Sequence, residues 1–393
     1  MLPLQGIKVV EFCQVAAGPF CGLLLADMGA DVIKVESPEG GDGLRQWPPL
    51  TRNPDRPDAP GFSENFASLN RNKRSTVFDL KDPAQRDAAR RLALSADVVL
   101  ENFRPGVLAK LGLGYDTLAK DKPALVYCSI SAFGQEGPRS QEGGFDLTVQ
   151  AIGGVMSVTG EPEGRPVKCG VPIADFSAGL YAAFAVVAAL RHAERTGEGD
   201  WIDCTMLGAT LGVAALQTSE YFGNGRDPVK LGSAHPRNAP YQAFRCADGY
   251  FAMAAGNDRL WRAACEGIAR TDLCDDPRFR STAARAEHQD ALREILERDF
   301  ARSTVAELLA VFSRQGVPCA PLNTYSQVLD DPQVRHMGWV QPLTLPNGAA
   351  TRTFASPLKS RRHRFAIRRP PPLPGEHTEE VLAELAAPRE PQT

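Results

Sequence analysis

The chain has 393 residues, of which 43% are hydrophobic and 23% charged, and a formal net charge of -3. Because this length exceeds what one hydrophobic core usually serves, two domains are expected in a globular protein of ordinary composition. The small net charge gives no reason to expect nucleic acid or a membrane surface as a partner.

The nine cysteines bear on metals and disulfides. They include no Cys-x-x-Cys pair, and most lie in apolar runs. This pattern is typical of reduced packing residues and favours neither a disulfide framework nor a zinc site, so no metal is expected. The N-terminus lacks the pattern of a signal peptide, and no segment has 18 consecutive apolar residues. A cytoplasmic location is therefore expected.

The start of the chain predicts a strand–helix–strand unit. Residues 7–12 and 30–36 read as buried strands, and residues 20–28 have the apolar spacing of a helix that stops near Gly29. Such a unit implies a parallel sheet with ligands at the carboxyl ends of its strands. The first turn lacks G-x-G-x-x-G, so a dinucleotide cofactor is not expected.

Residues 37–65 are rich in Pro, Gly and Asp and predict a long surface excursion. Three cations follow closely, Arg71, Lys73 and Arg74, with Lys81 further on. A polyphosphate site and an ordinary solvated loop explain this cluster about equally well.

Asp175 lies where an apolar segment meets the strongest buried-helix signal of the chain. A helix at residues 82–94 and strands at 96–101 and 125–131 come before it, and the charge-free run at 176–190 predicts a helix that begins at or just after Asp175. The positive end of that helix should keep the carboxylate ionised, as a nucleophile requires. From the residue alone, an ordinary N-cap is the simpler explanation.

The second half of the chain predicts a change of domain. A strand at 201–204 and an apolar helix reaching Tyr221 complete a large domain over 1–222, and the Gly/Pro-rich residues 223–240 form a linker. Residues 241–320 predict a small α+β domain, with a hairpin and helices near 258–269, 284–301 and 304–315. Residues 321–393 lead back through a helix at 378–386, and residues 388–393 read as disordered.

Motifs along nearly the whole chain point to one family. The carrying segments are L-x-G-I-K-V-V-E-F from Leu4, A-G-P-F from Ala17, N-R-N-K-R-S-T-V-F-D-L-K from Asn70, E-N-F-R-P-G from Glu101, S-I-S-A-F-G-Q-E-G-P from Ser129 and G-E-H-T-E-E-V-L-A-E-L from Gly375. In this order they resemble the class III CoA-transferases, the group of formyl-CoA transferase and carnitine CoA-transferase. The α-methylacyl-CoA racemases are relatives of this group.

The resemblance implies an α/β fold, with a Rossmann-like large domain built from both chain ends and a smaller α+β domain, in an interlocked homodimer. It also implies that Asp175 attacks an acyl-CoA to give an aspartyl mixed anhydride and then an aspartyl-CoA thioester, from which a carboxylic acid takes over the CoA. Coenzyme A is then a substrate in thioester form, and no permanently bound cofactor is expected.

Coenzyme A contacts of the family fall on residues of the large domain. They are Val15, Ala16, Phe78 to Lys81, Asn102, Phe103, Arg104, Lys110, Gly143, Gly144, Phe145 and Asp146.

The chain departs from formyl-CoA transferases in four places. Gln14 and Ala16 replace a histidine and a glutamine, Ser37 replaces a basic residue, and only residues 254–257 correspond to the glycine loop. These changes argue against formyl-CoA and oxalate and suggest a roomier acyl pocket. Arg45 or Arg71 is the candidate for the missing phosphate contact.

Two other functions are weighed against the transferase. A racemase needs a second acid/base across the α-carbon, and the family's racemases have a histidine immediately before the residue that matches Asp146, where this chain has Phe145. A non-catalytic CoA-binding protein would have no need of Asp175 at a helix start. The sequence therefore favours a transferase, without identifying the donor or the acceptor acid.

Overall fold

A six-stranded parallel sheet is the centre of the structure, a computed structural model that describes residues 1–387. The disorder predicted for residues 388–393 concerns a segment outside these described residues. The strands of the described chain are β1 (Lys8–Phe12), β2 (Asp31–Glu36), β3 (Leu50–Thr51), β4 (Phe62–Ser63), β5 (Lys73–Val77), β6 (Val98–Glu101), β7 (Val126–Ser131), β8 (Trp201–Thr205), β9 (Tyr241–Arg245), β10 (Tyr250–Ala254), β11 (Cys319–Pro321), β12 (Val340–Thr344) and β13 (Ala350–Phe354).

Helices connect and cover these strands, and one 3-10 turn spans Gly43–Gln46. The helices of residues 1–387 are α1 (Ala17–Asp27), α2 (Glu64–Asn70), α3 (Pro83–Ser95), α4 (Val107–Lys110), α5 (Tyr115–Asp121), α6 (Asp146–Ile152), α7 (Val155–Val158), α8 (Ile173–Thr196), α9 (Met206–Val213), α10 (Ala215–Asn224), α11 (Asp258–Gly267), α12 (Asp272–Asp275), α13 (Thr282–Glu287), α14 (Gln289–Phe300), α15 (Val305–Arg314), α16 (Tyr325–Val328), α17 (Pro332–Met337) and α18 (Thr378–Ala386).

The large sheet has the strand order β5-β2-β1-β6-β7-β8, and every neighbouring pair is parallel. The predicted parallel sheet is thus confirmed, with the strand order of a doubly wound α/β fold. Its strands are rich in β-branched residues because both faces are covered. The order reverses between β1 and β6, and this reversal opens a crevice at the carboxyl ends of the strands.

Alternate residues of each strand face different helical layers. Val9 and Val98 pack with the apolar sides of α1 and α8, whereas Val10 and Val99 pack with α3 and α18 on the opposite face. Helix α1 approaches α8 so closely that a Cβ on Gly179 would lie 2.8 Å from the carbonyl oxygen of Ala17. Only a residue without a side chain fits there.

By length and composition alone, helix α8 could cross a membrane. The core helix of a soluble protein meets the same criterion. One side of it packs against α1, α9, β7 and β8. The other side exposes large apolar residues, which are Leu180, Tyr181, Phe184 and Val187.

Two compact units divide the chain. One contains the large sheet and comprises residues 1–155, 168–224 and the chain from 333 onward. In this unit α18 packs against α3 and β5, so both ends of the chain contribute to it. The other unit comprises residues 156–167 and 225–332. Its antiparallel sheet β11-β10-β9 contains the predicted hairpin, and its core is built on the rings of Phe244, Phe251, Phe300 and Phe312.

Several sequence-based boundaries were wrong. Residues 206–224 form two helices rather than one, and α10 continues to Asn224, inside the predicted linker. Residues 37–65 are not a simple surface excursion, because Leu44 and Phe62 join a buried cluster with Leu343 and Leu345. The sequence did not reveal this pairing, since its two halves lie almost 300 residues apart.

Four charged side chains without solvent exposure form an ion-pair cluster beneath α1, here called the buried ion cluster: Glu11, Lys34, Asp42 and Lys73. Nζ of Lys34 lies 3.0 Å from Oε1 of Glu11 and 2.8 Å from Oδ2 of Asp42, and Nζ of Lys73 donates to Oε2 of Glu11 at 2.8 Å. Lys73 also donates to the carbonyl oxygen of Pro19 and to Oδ1 of Asn70. Two cations and two carboxylates thus neutralise each other.

Burial alone would raise the pKa of Asp42, but Lys34 and backbone N–H donors lower it below its ordinary value. Burial lowers the pKa of Lys73, and the neighbouring Lys34 lowers it further.

Neither explanation weighed for the cations at 71–74, a polyphosphate site or a solvated loop, is correct, because Arg71, Lys73 and Arg74 are buried. Lys73 belongs to the buried ion cluster, Arg71 pairs with Asp27 at 2.7 Å, and Arg74 pairs with Glu380 at 2.8 Å. Arg45, the other candidate for the missing phosphate contact, pairs with Glu36. Each of these cations is already paired with a carboxylate of the protein. They therefore stabilise the fold and are not available to bind a phosphate.

Lys34→Met should leave the carboxylates of Glu11 and Asp42 buried with one cation between them. We expect the free energy of unfolding to fall by about 3–5 kcal/mol, as when one partner of a buried pair is removed. Urea denaturation measures this loss. The matched control is Lys81→Met, which removes a lysine that is 80% exposed and pairs with Glu39, and should change stability by less than about 0.5 kcal/mol. Equal stability of the two variants would contradict the assigned role of the cluster.

Candidate active site

A cavity of about 320 Å³ lies at the carboxyl ends of β1, β6, β7 and β8, where the strand order reverses. Its lining residues come from the turns that follow these strands and from three helix starts. They are Gln14, Val15, Ala16, Ala17, Asn102, Phe103, Arg104, Ile130, Ser131, Ala132, Gly144, Phe145, Asp175 and Met206. The cavity thus brings together Asp175 and much of the predicted CoA site.

Asp175 is the third residue of α8, which begins at Ile173 after the N-cap Pro172. The helix therefore starts earlier than the sequence predicted, and Asp175 is not its N-cap. Asp146 caps the N-terminus of α8 instead, because its Oδ1 accepts a hydrogen bond from the backbone N–H of Ala174 at 3.0 Å. Oδ2 of Asp146 accepts from Nε2 of Gln150 at 2.7 Å, which fixes the orientation of the carboxylate. Asp175 is thus relieved of the capping role.

The carboxyl group of Asp175 is only partly ionised at neutral pH. Burial raises its pKa to about 7, with a further contribution from the negative charge of Asp146. Within residues 1–387 no side chain donates a hydrogen bond to it. The expectation that the helix end keeps this group ionised was therefore wrong, because the cost of burying the charge exceeds what a helix end contributes.

The turn at residues 13–16 forms one wall of the cavity and is fixed from two sides. Oδ1 of Asn102 accepts the N–H of Gln14 at 2.9 Å, and Nδ2 of Asn102 donates to the carbonyl oxygen of Gln14 at 2.8 Å. Val15 has a φ of 66°, which is rare for a β-branched residue and costs energy. Its N–H donates to both carboxylate oxygens of Asp42, at 3.1 and 3.2 Å. The buried ion cluster therefore holds this strained turn in place.

The N-termini of three helices meet at the cavity. Ala17 is the first residue of α1, Met206 is the first residue of α9, and Asp175 lies in the first turn of α8. Helix N-termini carry unpaired N–H groups and a partial positive charge. The cavity is therefore suited to anionic groups such as carboxylates and oxyanions.

The remaining predicted CoA contacts do not line the cavity. Phe78 is buried in the core, Lys81 pairs with Glu39 at 3.2 Å on the surface, and Lys110 is an exposed residue at the end of α4. Gly143 lies under the side chain of Arg104, and Asp146 caps α8.

Other lining residues were missed by the sequence analysis, namely Ala17, Ile130, Ser131, Ala132 and Met206. Their one signal in the sequence is that they end or follow strands of a parallel sheet.

A second cavity, of about 390 Å³, adjoins the loop at 102–104 and shares Arg104 with the first. Its wall includes Glu101, whose pKa burial raises to about 7 despite a hydrogen bond from Ser129. Oε2 of Glu101 accepts the N–H of Phe103 at 2.9 Å. The loop at 102–104 is thus held by Glu101 on one side and, through Asn102, by Gln14 on the other.

The sequence has extensive similarity to one family of proteins. Residues 4–378 match the profile of CoA-transferase family III. The chain is 42% identical over 384 residues to the succinate–glutarate CoA-transferase of Agrobacterium fabrum, covering 98% of this chain and 96% of that one. It is 36% identical over 386 residues to the succinyl-CoA:mesaconate CoA-transferase of Haloarcula hispanica, covering 97% and 96%.

A solved structure has the same fold over the whole chain. The crystal structure of a CAIB/BAIF family protein from Brucella suis matches with a TM-score of 0.86 and 38% sequence identity, covering 98% of this chain and 99% of that one. Both relatives named above are transferases, and Phe145, 77% exposed beside the cavity, offers no proton-transferring group. The chain belongs to CoA-transferase family III and is a CoA-transferase that acts between acyl-CoA thioesters and carboxylic acids.

Proposed function

We propose that Asp175 is the covalent nucleophile of the transfer. The supporting observation is that Asp175 is the one carboxylate among the residues of 1–387 that line the cavity, and it lies where helix N-termini meet. A carboxylate attacks a thioester only when it is desolvated and oriented. Its burial provides the first condition, and its position in the first turn of α8 provides the second.

The chemistry proceeds in two matched halves. The Asp175 carboxylate attacks the donor acyl carbonyl and expels CoA thiolate, which gives a mixed anhydride. The thiolate then attacks the aspartyl carbonyl, which releases the donor acid and leaves an aspartyl-CoA thioester. The acceptor carboxylate attacks this thioester and again expels the thiolate, giving a second anhydride. Attack of the thiolate on the acceptor acyl carbonyl yields the new acyl-CoA and regenerates Asp175.

Each attack forms a tetrahedral oxyanion that needs hydrogen-bond donors. The backbone N–H groups of Ala17 and Gly18, in the first turn of α1, are the proposed donors, since α1 begins at the cavity. Preorganised donors of this kind commonly contribute a large share of the stabilisation of such intermediates. All these steps use only a carboxylate and a thiolate, so no bound cofactor is required.

Coenzyme A is proposed to enter along the turns that line the cavity. Val15, Ala16, Asn102, Phe103, Gly144 and Phe145 would contact its thioester end. The exposed cations Lys81 and Lys110 would contact the phosphates of CoA outside the cavity. Because both lysines stay in contact with water there, pairing with the phosphates would cost little desolvation.

Dicarboxylic acids are the proposed substrate class. Both relatives named above take their names from dicarboxylates, which are succinate, glutarate and mesaconate. Ala16 lines the same cavity as Asp175, and a longer side chain at this position would take up part of the cavity.

A homodimer in the cytoplasm is the proposed form of the enzyme. A large apolar surface on α8, α9 and α10 supports the dimer, and its exposed residues are Leu180, Tyr181, Phe184, Val187, Leu211, Val213, Leu216, Tyr221 and Phe222. Surfaces of this extent usually mark an interface. The nine thiols are free, as suits a reducing compartment.

Asp175→Asn should lower kcat by a factor on the order of 10⁴, since the amide cannot form the anhydride. The fold should survive, because Asp146 rather than Asp175 caps α8. Steady-state kinetics with succinyl-CoA and glutarate measure the loss, and circular dichroism verifies the fold. Wild-type rates of transfer in a folded Asp175→Asn enzyme would exclude Asp175 as the nucleophile.

The pH dependence should report the ionisation of Asp175. Because the carboxylate is the reactive form, kcat/KM for the acyl-CoA should rise about tenfold per pH unit below an apparent pKa of about 7 and level off above it. Asp146→Asn keeps an acceptor for Ala174 but removes a negative charge, so it should lower this apparent pKa. A profile that is flat between pH 5 and pH 8 would contradict the assignment.

Stability should respond to pH in the opposite sense. The pKa of Asp175 is about 7 in the folded state but about 3.9 in an unfolded chain. Between these values the folded state binds more protons, so wild-type stability is lost as the pH rises from about 4 to 7. Asp175→Asn removes this loss. Its Tm relative to wild type should therefore increase from pH 5 to pH 8, and an unchanged difference would show that the carboxyl is not perturbed.

The dimer should resist dilution if the two subunits interlock through the predicted linkers at 223–240 and 318–333, because separation then requires one subunit to open. Sedimentation at nanomolar concentration should show a single dimeric species. A rapid monomer–dimer equilibrium between folded species would refute the interlock.

A further inference from the structure

Arg104 is the one cation among the residues of 1–387 that line the catalytic cavity. Within that described part of the chain, its guanidinium forms no hydrogen bond or ion pair. The contrast with other arginines near the sheet is sharp, since Arg45, Arg71 and Arg74 are each paired with a carboxylate. An unpaired guanidinium that lines the same cavity as Asp175 is available to an anionic ligand.

The backbone that carries the Arg104 side chain is fixed by hydrogen bonds, whereas its guanidinium has no partner in residues 1–387. The loop at 102–104 is fixed by two hydrogen bonds between Asn102 and Gln14 and by the hydrogen bond from Phe103 to Glu101. The guanidinium itself lies over Gly143, where an added Cβ would come within 3.0 Å of Nη2 of Arg104. A long side chain on a fixed loop, with no partner of its own among the described residues, can pair with a carboxylate that enters the cavity.

A dicarboxylate brings a charge problem into this cavity. One of its carboxylates reacts at Asp175, and the other enters a partly buried cavity that Asp175 lines and that lies near the negative charge of Asp146, which caps α8. An unpaired carboxylate there would be costly to desolvate. A guanidinium can compensate it with two parallel hydrogen bonds, which a lysine cannot reproduce.

The phosphates of CoA are a less suitable ligand for Arg104. The long pantetheine arm separates them from the thioester carbon, and that carbon must lie within reach of Asp175. Arg104 lines the same cavity of about 320 Å³ as Asp175. Arg104 is exposed at the edge of this cavity and also lines the adjoining one, so its side chain can reach an acyl group that extends outward from Asp175.

We propose that Arg104 binds the distal carboxylate of the dicarboxylic substrate and thereby selects dicarboxylic over monocarboxylic acids. This inference rests on the proposed transfer through Asp175 and assigns the residue that determines its substrate class. It reassigns Arg104 from CoA to the acyl group, and it leaves Asn102 and Phe103 as CoA contacts.

A competition assay isolates this role. Glutarate and pentanoate, which have equal chain length but differ in the second carboxylate, are supplied together at equal concentration with succinyl-CoA. The initial ratio of glutaryl-CoA to pentanoyl-CoA is measured by mass spectrometry. Both acids compete for the same aspartyl-CoA enzyme, so effects on the donor half-reaction or on the amount of folded protein cancel from the ratio.

Wild type should favour glutaryl-CoA, and Arg104→Met should lower the product ratio by about 10- to 100-fold, as expected for a lost charge-assisted pair. Arg104→Lys should recover part of the preference for glutarate, because lysine keeps the positive charge but cannot form the two parallel hydrogen bonds of a guanidinium. Lys110→Met removes a nearby exposed cation outside the cavity, and it should leave the product ratio unchanged even if CoA binds more weakly.

Two results would overturn the inference. An Arg104→Met enzyme that keeps the wild-type product ratio while its inhibition constant for free CoA rises would assign Arg104 to CoA. A wild-type enzyme that uses both acids equally well would show that no distal carboxylate is recognised. Either result leaves the transfer through Asp175 intact, whereas failure of the proposed function appears separately, as unimpaired transfer by Asp175→Asn.

Discussion

The pairing of two buried lysines with two buried carboxylates is the constraint on which the active site depends. Glu11 belongs to β1, Lys34 to β2 and Lys73 to β5, so the pairs join three neighbouring strands from within. Asp42 connects this cluster to the cavity, because its carboxylate also receives the N–H of Val15 in the strained turn. Such a cluster adds little net stability compared with apolar packing, but it tolerates no missing member. What the cluster provides is a fixed cavity wall, because Asp42 holds the turn at Val15 in its strained conformation.

A second constraint concerns the charge of Asp175. Burial disfavours the ionised form and, with the negative charge of Asp146, raises its pKa to about 7, while the fraction that is ionised is more reactive because it is desolvated. Asp146 has two roles here. It caps the N-terminus of α8, and its negative charge raises the pKa of Asp175 further. The converging helix ends oppose the penalty and favour the anionic groups of substrates. In the proposed mechanism, a carboxylate that is partly ionised near neutral pH can therefore act as the nucleophile without a separate general base.

Much of the fold was predictable, because local patterns decide it. The parallel strands have β-branched runs, α3 matches the helix predicted at 82–94 to within one residue at each end, and α18 spans the predicted residues 378–386. The site was predictable only in part. Asp175 stood out at a helix start, but its pKa depends on burial and on the distant Asp146, and the burial of Lys73 depends on its pairing with Glu11. Burial and pairing across the chain cannot be read from spacing, which is why the cations at 71–74 suggested a phosphate site or a solvated loop, although they are buried in the structure.

The central claim is that CoA passes through a covalent bond to Asp175. The most direct test is to mix the enzyme with succinyl-CoA in the absence of an acceptor, quench within seconds, digest the protein and map its peptides by mass spectrometry. The account predicts a single modified peptide, containing Asp175 and heavier by the mass of CoA less one water, which disappears when glutarate is added before the quench. CoA found on another residue, or turnover with no trapped adduct in the same quenched samples, would contradict it.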